Sequence, residues 1–271
     1  MTVQVDRDME RAFAQLYEIQ KHLLNGSLSP LVARRPLQDI VEGKFSADTR
    51  FERYVPMLLS LDEQQELLVR YNREYWGSRF TYEQLHELSV DTTRDHVQSV
   101  DDLEILHVEF GSIEETVEMW WKVFVGEQPD SWRWDGLKLD TEHIRFSPNT
   151  TKYEPGVHRV RINLVAHWEP EDGRTVDEVR KQASDTHEIL AHSEVLSAYG
   201  LHSALLREQD GDNLPYADMA GYEATVPGGD AWRYVPCLDW SRFNRRVGLD
   251  AYWSGNRIQR WAAPVLRELE S

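Results

Sequence analysis

The chain has 271 residues, 41% of them hydrophobic and 11% aromatic, so it can bury a sizeable core and is not a largely disordered protein. Its formal net charge of -17 argues against a nucleic-acid partner, because phosphates would be repelled over most of the surface. No apolar run approaches the roughly 20 residues of a membrane helix, and the single cysteine, Cys237, excludes an internal disulfide. The charged N-terminal residues lack the apolar core of a signal peptide, so we expect a cytoplasmic protein.

Residues 1–98 have the spacing of amphipathic helices. Apolar residues recur three and four positions apart between Met9 and Leu24, which predicts a first helix there. Ser60 and Glu63 form a capping box, the pattern that opens many helices, and so predict the start of another. We therefore expect a helical region over 1–98.

Residues 99–271 combine alternating segments with helix-start signals and turns. Leu103–Phe110 and Val157–Trp168 alternate apolar and polar side chains, as half-buried strands do. Ser112 and Thr175 are each followed by a glutamate three residues later, which predicts two more helices, the second ending near Ala191. The absence of a regular strand–helix alternation favours an α+β fold, with the helical region packed with a mostly antiparallel sheet. A jelly-roll or open barrel is the more specific expectation.

The segment Val157–Trp168 has one strongly polar face. Arg159, Arg161 and Asn163 share that face with His167, since side chains two apart point to the same side of a strand. A second basic, amide-rich stretch contributes Arg242 and Asn244. If both stretches lined one sheet face, they would form an arginine-lined pocket for a small polar or anionic ligand. The alternative is that these arginines pair with some of the 47 acidic residues.

A different hypothesis makes the protein a metalloenzyme. His107 and Glu109 are two apart on a predicted strand and would project to one side as two ligands of one ion. With His167 far downstream they would complete a two-histidine, one-carboxylate triad, which suits Fe(II). This order, followed by Arg174, resembles the pattern of iron- and 2-oxoglutarate-dependent oxygenases. The resemblance implies that Arg174, or Arg159 in its place, binds the co-substrate carboxylate.

Two further patterns are weaker. His187 and His192 resemble a zinc-protease helix, but they are five residues apart, about 140° around a helix, so both cannot reach one ion. Several tryptophans lie in or beside predicted turns, where their rings could stack on sugars, although such rings more often pack beneath a loop. These tryptophans are Trp132, Trp134, Trp232 and Trp240.

Overall fold

The chain divides into two units, Met1–Leu59 and Ser60–Ser271, and the computed structural model describes mainly the second. The residues described are 58–86, 99–209, 214–229, 231–241, 244 and 246–267. The helix predicted from Met9 to Leu24 lies outside them, and the predicted boundary after residue 98 stays a prediction. In the described ranges, no helix is long and apolar enough to cross a membrane.

Helices and strands alternate irregularly along the described residues. The helices are α1 (Leu61–Glu74), α2 (Tyr82–His86), α3 (Ile113–Glu127), α4 (Val176–Thr186), α5 (Glu194–Leu201) and α6 (Ser203–Glu208). The strands are β1 (Leu103–Glu109), β2 (Trp132–Arg133), β3 (Ile144–Phe146), β4 (Gly156–Asn163), β5 (Ile189–Leu190), β6 (Tyr216–Asp218), β7 (Tyr222–Ala224), β8 (Tyr234–Ser241), β9 (Arg246–Trp253), β10 (Trp261–Ala262) and β11 (Val265–Arg267). The predicted α+β class is confirmed.

The strands form two sheets. In the first sheet the order is β1-β4-β11-β5, and every neighbouring pair is antiparallel. The second sheet is centred on β8, which pairs with β6, β7 and β9, and it is extended by β2, β3 and β10. In that sheet β2 pairs with β9, and β10 with β6, in parallel. Both sheets are mostly antiparallel, as predicted, whereas the jelly-roll or open barrel stays a prediction.

Three predicted helix starts are confirmed. The side chains of Ser60, Ser112 and Thr175 each accept a hydrogen bond from the backbone N–H three residues later. These bonds satisfy donors that the first helical turn leaves without a partner. The helix predicted to run to Ala191 is shorter, because His187 adopts a left-handed conformation with φ of 62° and ends α4.

The polar strand predicted over Val157–Trp168 is also shorter, since β4 ends at Asn163. The N–H of Leu164 donates to the carbonyl of Val100 at 2.8 Å, and the chain then turns. His167 has a φ of 57°, in the left-handed region that a strand cannot use. His167 is therefore not on the strand face that carries the two arginines.

Strand β1 lies at an edge of the first sheet, and its whole length is buried. Helix α1 packs against it. The side-chain amide of Gln64 donates to the carbonyl of Glu104 and accepts from the N–H of Leu106, both at 2.9 Å. Gln64 thus replaces a neighbouring strand at two positions, which protects an edge that would otherwise expose unpaired backbone groups.

Helix α5 packs against both β1 and α3. Trp120 of α3 is fully buried and donates its indole N–H to the carbonyl of Val108 at 3.2 Å. Its ring occupies the space beside Gly200 of α5, where a β-carbon would lie 2.7 Å from Cζ3 of the indole. The absence of a side chain at Gly200 is therefore what allows α5 to approach α3 closely.

We expect the substitution Gly200→Val to lower the free energy of unfolding by about 1–3 kcal/mol, because the added side chain must displace the ring of Trp120. Urea denaturation of the purified protein measures the change. Lys122→Ala, at an exposed position of the same helix as Trp120, is the control and should stay within about 0.5 kcal/mol of wild type. If both variants are equally stable, the close packing of α5 on α3 is not as described.

A buried carboxyl group lies where α4 packs on the second sheet. The hydroxyl of Tyr252 donates to Oδ2 of Asp218 at 2.6 Å, and Asp218 is only 3% exposed. Burial raises the pKa of Asp218 to about 8, although the bond from Tyr252 and the charge of Arg180 oppose that shift. The folded protein therefore holds a proton on Asp218 in a range where the unfolded chain has released it.

This raised pKa predicts a specific pH dependence of stability. Between pH of about 4 and 8 only the unfolded chain ionises at Asp218, so the wild-type protein should lose stability as the pH rises through this window. Asp218→Asn keeps an acceptor for Tyr252 and should flatten the dependence, so its advantage over wild type grows from pH 5 to pH 8. Thermal unfolding at both values measures it. The exposed control Asp172→Asn should differ from wild type by the same amount at both pH values. The account is contradicted if the difference in stability between Asp218→Asn and wild type is likewise the same at pH 5 and pH 8.

Candidate functional site: a buried double His–Glu cluster

Two segments of sequence His-x-Glu meet in the core. His107 and Glu109 project from one side of β1, while His192 precedes α5 and Glu194 is its first residue. Helix α5 packs back against β1, which brings the two segments together. All four side chains are at most 4% exposed. We refer to these four residues as the double His–Glu cluster.

The first pair is fixed at both nitrogens of its imidazole. Nδ1 of His107 lies 2.7 Å from Oγ of Ser197, and Nε2 lies 3.2 Å from Oε2 of Glu109. The other oxygen of Glu109 accepts a hydrogen bond from the hydroxyl of Thr116 at 2.6 Å. Burial alone would raise the pKa of Glu109. The hydrogen bond and charge of His107 and the hydrogen bond of Thr116 outweigh the effect of burial, so the pKa of Glu109 is lowered. Glu109 is therefore an ionised carboxylate in the core.

The second pair contains a neutral imidazole. Nε2 of His192 lies 2.7 Å from the carbonyl oxygen of Thr151, which can only accept, so Nε2 carries the proton. Burial lowers the pKa of His192, which keeps the ring neutral. Nδ1 is then an acceptor: the backbone N–H of Ser193 donates to it at 2.6 Å, and Oγ of Ser193 lies 2.7 Å away. The lone pair of Nδ1 therefore faces Ser193, which already occupies it.

Glu194 has one oxygen that lacks a well-placed hydrogen-bond donor. Its Oε2 accepts the backbone N–H of His192 at 2.7 Å and lies 3.4 Å from Nδ1 of the same residue. Its Oε1 is buried and has no hydrogen bond of ordinary geometry, while the phenol of Tyr153 is a donor that interacts with this carboxylate. The N-terminus of α5 offsets part of the negative charge. A buried carboxylate oxygen without a well-placed donor is nevertheless costly and uncommon.

A single hydroxyl connects the two pairs. Oγ of Ser193 lies 2.7 Å from Nδ1 of His192 and 3.3 Å from Oε2 of Glu109. The pairs are therefore within one polar atom of each other, with the serine between them.

Tyr153 and His158 pack beside the cluster and are only half-buried. The ring of Tyr153 lies 5.0 Å from that of His107, 5.9 Å from that of His192 and 4.7 Å from that of His158. Burial, the negative charge of Glu194 and a hydrogen bond with it raise the pKa of the Tyr153 phenol, so it is a neutral donor.

The chain Ser197–His107–Glu109 has the residue types of a hydrolase triad, but it cannot act as one. Ser197 is fully buried within α5, so its hydroxyl has no access to a substrate. It serves instead to orient the imidazole of His107.

The structure does not bring His167 to the pair His107 and Glu109. In the antiparallel ladder His158 lies opposite His107, and His167 follows nine residues later, beyond the end of β4. Nε2 of His167 lies 3.3 Å from Glu188, and its Nδ1 lies 3.2 Å from Arg174. The three-ligand arrangement expected for an Fe(II) oxygenase is therefore not present in this geometry.

Arg174, expected to bind a co-substrate carboxylate, has partners within the protein. Its Nε pairs with Glu169 at 2.6 Å, and its NH1 donates to Gln182 at 2.7 Å. These bonds satisfy its guanidinium in place.

Four of the five residues predicted to bind a ligand lie in the described part of the chain, and they are divided between the two sheets. Arg159 forms an ion pair with Glu104, and Arg161 with Asp102, across the ladder between β4 and β1. Asn163 accepts the N–H of Val165 at 3.0 Å. Asn244 is exposed in the loop after β8, which belongs to the second sheet, and Arg242 lies outside the described residues. A ligand pocket built from these residues stays a prediction.

A second group of candidate metal ligands lies on the surface. This group consists of Asp140, Glu142 and His143, and one ligand atom of each residue lies within 4.8 Å of a ligand atom of the other two. The hydrogen bond from His143 lowers the pKa of Asp140, whose carboxylate also accepts the N–H of Glu142. Both bonds reach the same oxygen, Oδ1 of Asp140, and belong to a local turn, and Glu142 is exposed, in contrast to the residues of the buried cluster.

His192, Ser193 and Glu194 were not predicted to be functional. The pattern that could have identified them is the recurrence of His-x-Glu at His192, the same spacing that drew attention to His107 and Glu109, although it also occurs at His167. The spacing alone does not show that the two occurrences meet, since 83 positions separate Glu109 from His192.

Comparison with known protein families, with curated proteins and with solved structures finds no match to this chain. The chemistry of the buried cluster is therefore the basis for assigning a function.

We expect Thr116→Val to lower the free energy of unfolding by about 1–3 kcal/mol, because it keeps the side-chain shape but removes a donor from the buried carboxylate of Glu109. Chemical denaturation measures the loss. Thr141→Val, at an exposed position, is the matched control and should be nearly neutral. Equal stability of the two variants would mean that Glu109 does not depend on this bond.

Proposed function

We propose that this protein binds one divalent transition-metal ion, held by the double His–Glu cluster. The observation that carries the proposal is Oε1 of Glu194, which has no hydrogen bond of ordinary geometry in a fully buried cluster with two carboxylates. Zn²⁺, Fe²⁺ and Mn²⁺ are the ions that fit a set of two imidazoles and two carboxylates.

The charge balance of the cluster favours a bound cation. Glu109 is an ionised carboxylate, Glu194 adds a second buried carboxyl group, and burial keeps His192 neutral. Leaving a carboxylate uncompensated in a protein interior costs several kcal/mol, and a divalent ion removes that cost.

The distances within each pair suit two ligands of one ion. Two donor atoms bound to a tetrahedral ion at about 2.1 Å lie about 3.4 Å apart. Nε2 of His107 and Oε2 of Glu109 are 3.2 Å apart, and Nδ1 of His192 and Oε2 of Glu194 are 3.4 Å apart. The ligand atoms of the two pairs do not lie within 4.8 Å of one another, and Ser193 lies between the pairs. Binding one ion with all four residues therefore requires Ser193 to release Nδ1 of His192 and the pairs to approach.

The surrounding hydrogen bonds match those of metal-binding histidines, which usually donate their second ring N–H to an oxygen. With Nε2 of His107 toward the ion, Nδ1 faces Ser197. With Nδ1 of His192 toward the ion, Nε2 donates to the carbonyl of Thr151. The oxygen of Glu109 that does not face the pair is held by Thr116. Each of these three ligands therefore has its orienting partner in place.

Burial of all four ligands favours a structural role for the ion over a catalytic one, because catalytic sites keep an open position. A closed ion would tie β1 to the start of α5, and its binding energy would add to the stability of the fold. The oxygenase hypothesis needs open positions and a ligand from His167, so the geometry supports it less well.

The proposal predicts that purified wild-type protein retains about one equivalent of metal ion by elemental analysis, and that chelation lowers its thermal stability. Restoring an ion at 100 times its dissociation constant should return about 2.7 kcal/mol. Glu194→Gln should lose the ion while keeping the size of the side chain. With metal present, Glu194→Gln should be less stable than wild type. In chelator it should be at least as stable as wild type, because the uncompensated charge is gone.

His143→Asn is the matched control, since it removes a histidine from the surface group and leaves the buried cluster intact. It should bind metal as wild type does. The proposal is wrong if Zn²⁺, Fe²⁺ and Mn²⁺ all leave the unfolding temperature of the chelated protein unchanged. It is equally wrong if His143→Asn loses the ion and Glu194→Gln retains it.

A further inference from the structure

A separate cleft opens on the second sheet, with a volume of about 300 Å³, near the lower end of the range for small-molecule pockets. Its lining combines aromatic, cationic and very small side chains, which are typical of sites that stack on a ring and bind its polar groups. The lining residues are Val226, Gly229, Ala231, Arg233, Tyr234 and Trp253.

Two aromatic rings form one side of this cleft. Tyr234 and Trp253 are directly opposite each other in the ladder between β8 and β9, so their side chains are neighbours on one face. Trp253 is 47% exposed, which is unusual for so large an apolar ring. Gly255 lies close against it, since a β-carbon there would be 3.1 Å from the indole. The exposed tryptophan thus packs on Gly255 and lines the cleft.

The other wall is a turn held by hydrogen bonds. The hydroxyl of Thr225 donates to the carbonyl of Gly229 at 2.8 Å, and the N–H of Gly229 donates to the carbonyl of Val226 at 2.9 Å. The carbonyl of Arg233 accepts the N–H of Ser254 at 2.7 Å, which ties the remaining wall to the end of β9. These bonds fix the backbone of the described residues in this wall.

Arg233 supplies a positive charge to the cleft. It is exposed beside the rings, and it forms no ion pair with any residue that the structure describes. In a chain of net charge -17, a cation without such a partner is a site where an anion can be bound. A guanidinium beside an aromatic platform suits a carboxylate attached to a ring.

We propose that this cleft binds a small ligand consisting of one six-membered ring that carries a carboxylate, with the ring stacked on Trp253 and the carboxylate paired with Arg233. The ligand class includes acidic sugars and aromatic acids. The proposal is independent of the metal ion, since none of the residues of the double His–Glu cluster lines the cleft.

Isothermal titration calorimetry with glucuronate and with benzoate tests the proposal, and glucose is the uncharged ring for comparison. We expect saturable binding of at least one acid at millimolar or lower concentration, and at least fivefold weaker binding of glucose. Which acid binds more tightly distinguishes the two sources of ligand. Trp253→Ala and Arg233→Gln should each weaken binding of that acid by about tenfold.

Two control variants separate local effects from general ones. Trp132→Ala removes an exposed tryptophan of β2. Because Trp132 pairs with Gly248, it lies on the opposite face of the second sheet from Trp253. Arg267→Gln removes an exposed arginine of the first sheet. Both should bind the acid as wild type does. Absence of saturable binding of both acids up to about 20 mM overturns the proposal. The proposal is also overturned if Trp253→Ala or Arg233→Gln has the wild-type circular dichroism spectrum and binds the acid with unchanged affinity.

Discussion

Burial of two carboxylates between β1 and α5 is the constraint on which the arrangement of this unit depends. Glu109 and Glu194 have lost nearly all contact with water, so the protein must supply the donors and positive charge that water would have supplied. Three elements meet for this purpose: β1 provides His107, α3 provides Thr116, and the start of α5 provides backbone N–H groups. The contacts that position these elements therefore also determine whether the charges are stabilised.

The packing around the cluster keeps those donors in place. The side chain of Gln64 fixes the edge of β1 through its backbone, and the ring of Trp120 fixes the distance between α3 and α5 beside Gly200. These contacts hold β1, α3 and α5 in place around the cluster. An ion at the cluster would add positive charge beside its two carboxyl groups.

Local features of the fold were predictable from the sequence, and long-range ones were not. The helix starts at Ser60, Ser112 and Thr175 follow from side chains that bond to their own first turn, so nearby residues are sufficient to predict them. The end of β4 depends instead on the bond between Leu164 and Val100, which are distant in sequence. Half of the cluster was predicted for the same reason: His107 and Glu109 share a strand face, whereas their partners arrive through the packing of α5.

The arginines of β4 illustrate the same limit. Their alternation predicted a common face, but which acidic residues would pair with them depends on the register between β1 and β4. That register places Arg159 beside Glu104 and Arg161 near Asp102, where they act as cross-strand ion pairs. A residue pattern indicates which side chains share one face of a strand. The register with the neighbouring strand decides whether those side chains pair with residues of that strand or remain available to a ligand.

The central claim is that the double His–Glu cluster holds a metal ion, and anomalous diffraction from crystals grown with Zn²⁺ tests it most directly. The account predicts an anomalous peak between His107 and His192, at about 2.0–2.2 Å from nitrogen and carboxylate oxygen atoms, with Ser193 rotated away. A peak only at Asp140, Glu142 and His143, with the cluster in the same hydrogen-bonded arrangement, would contradict it.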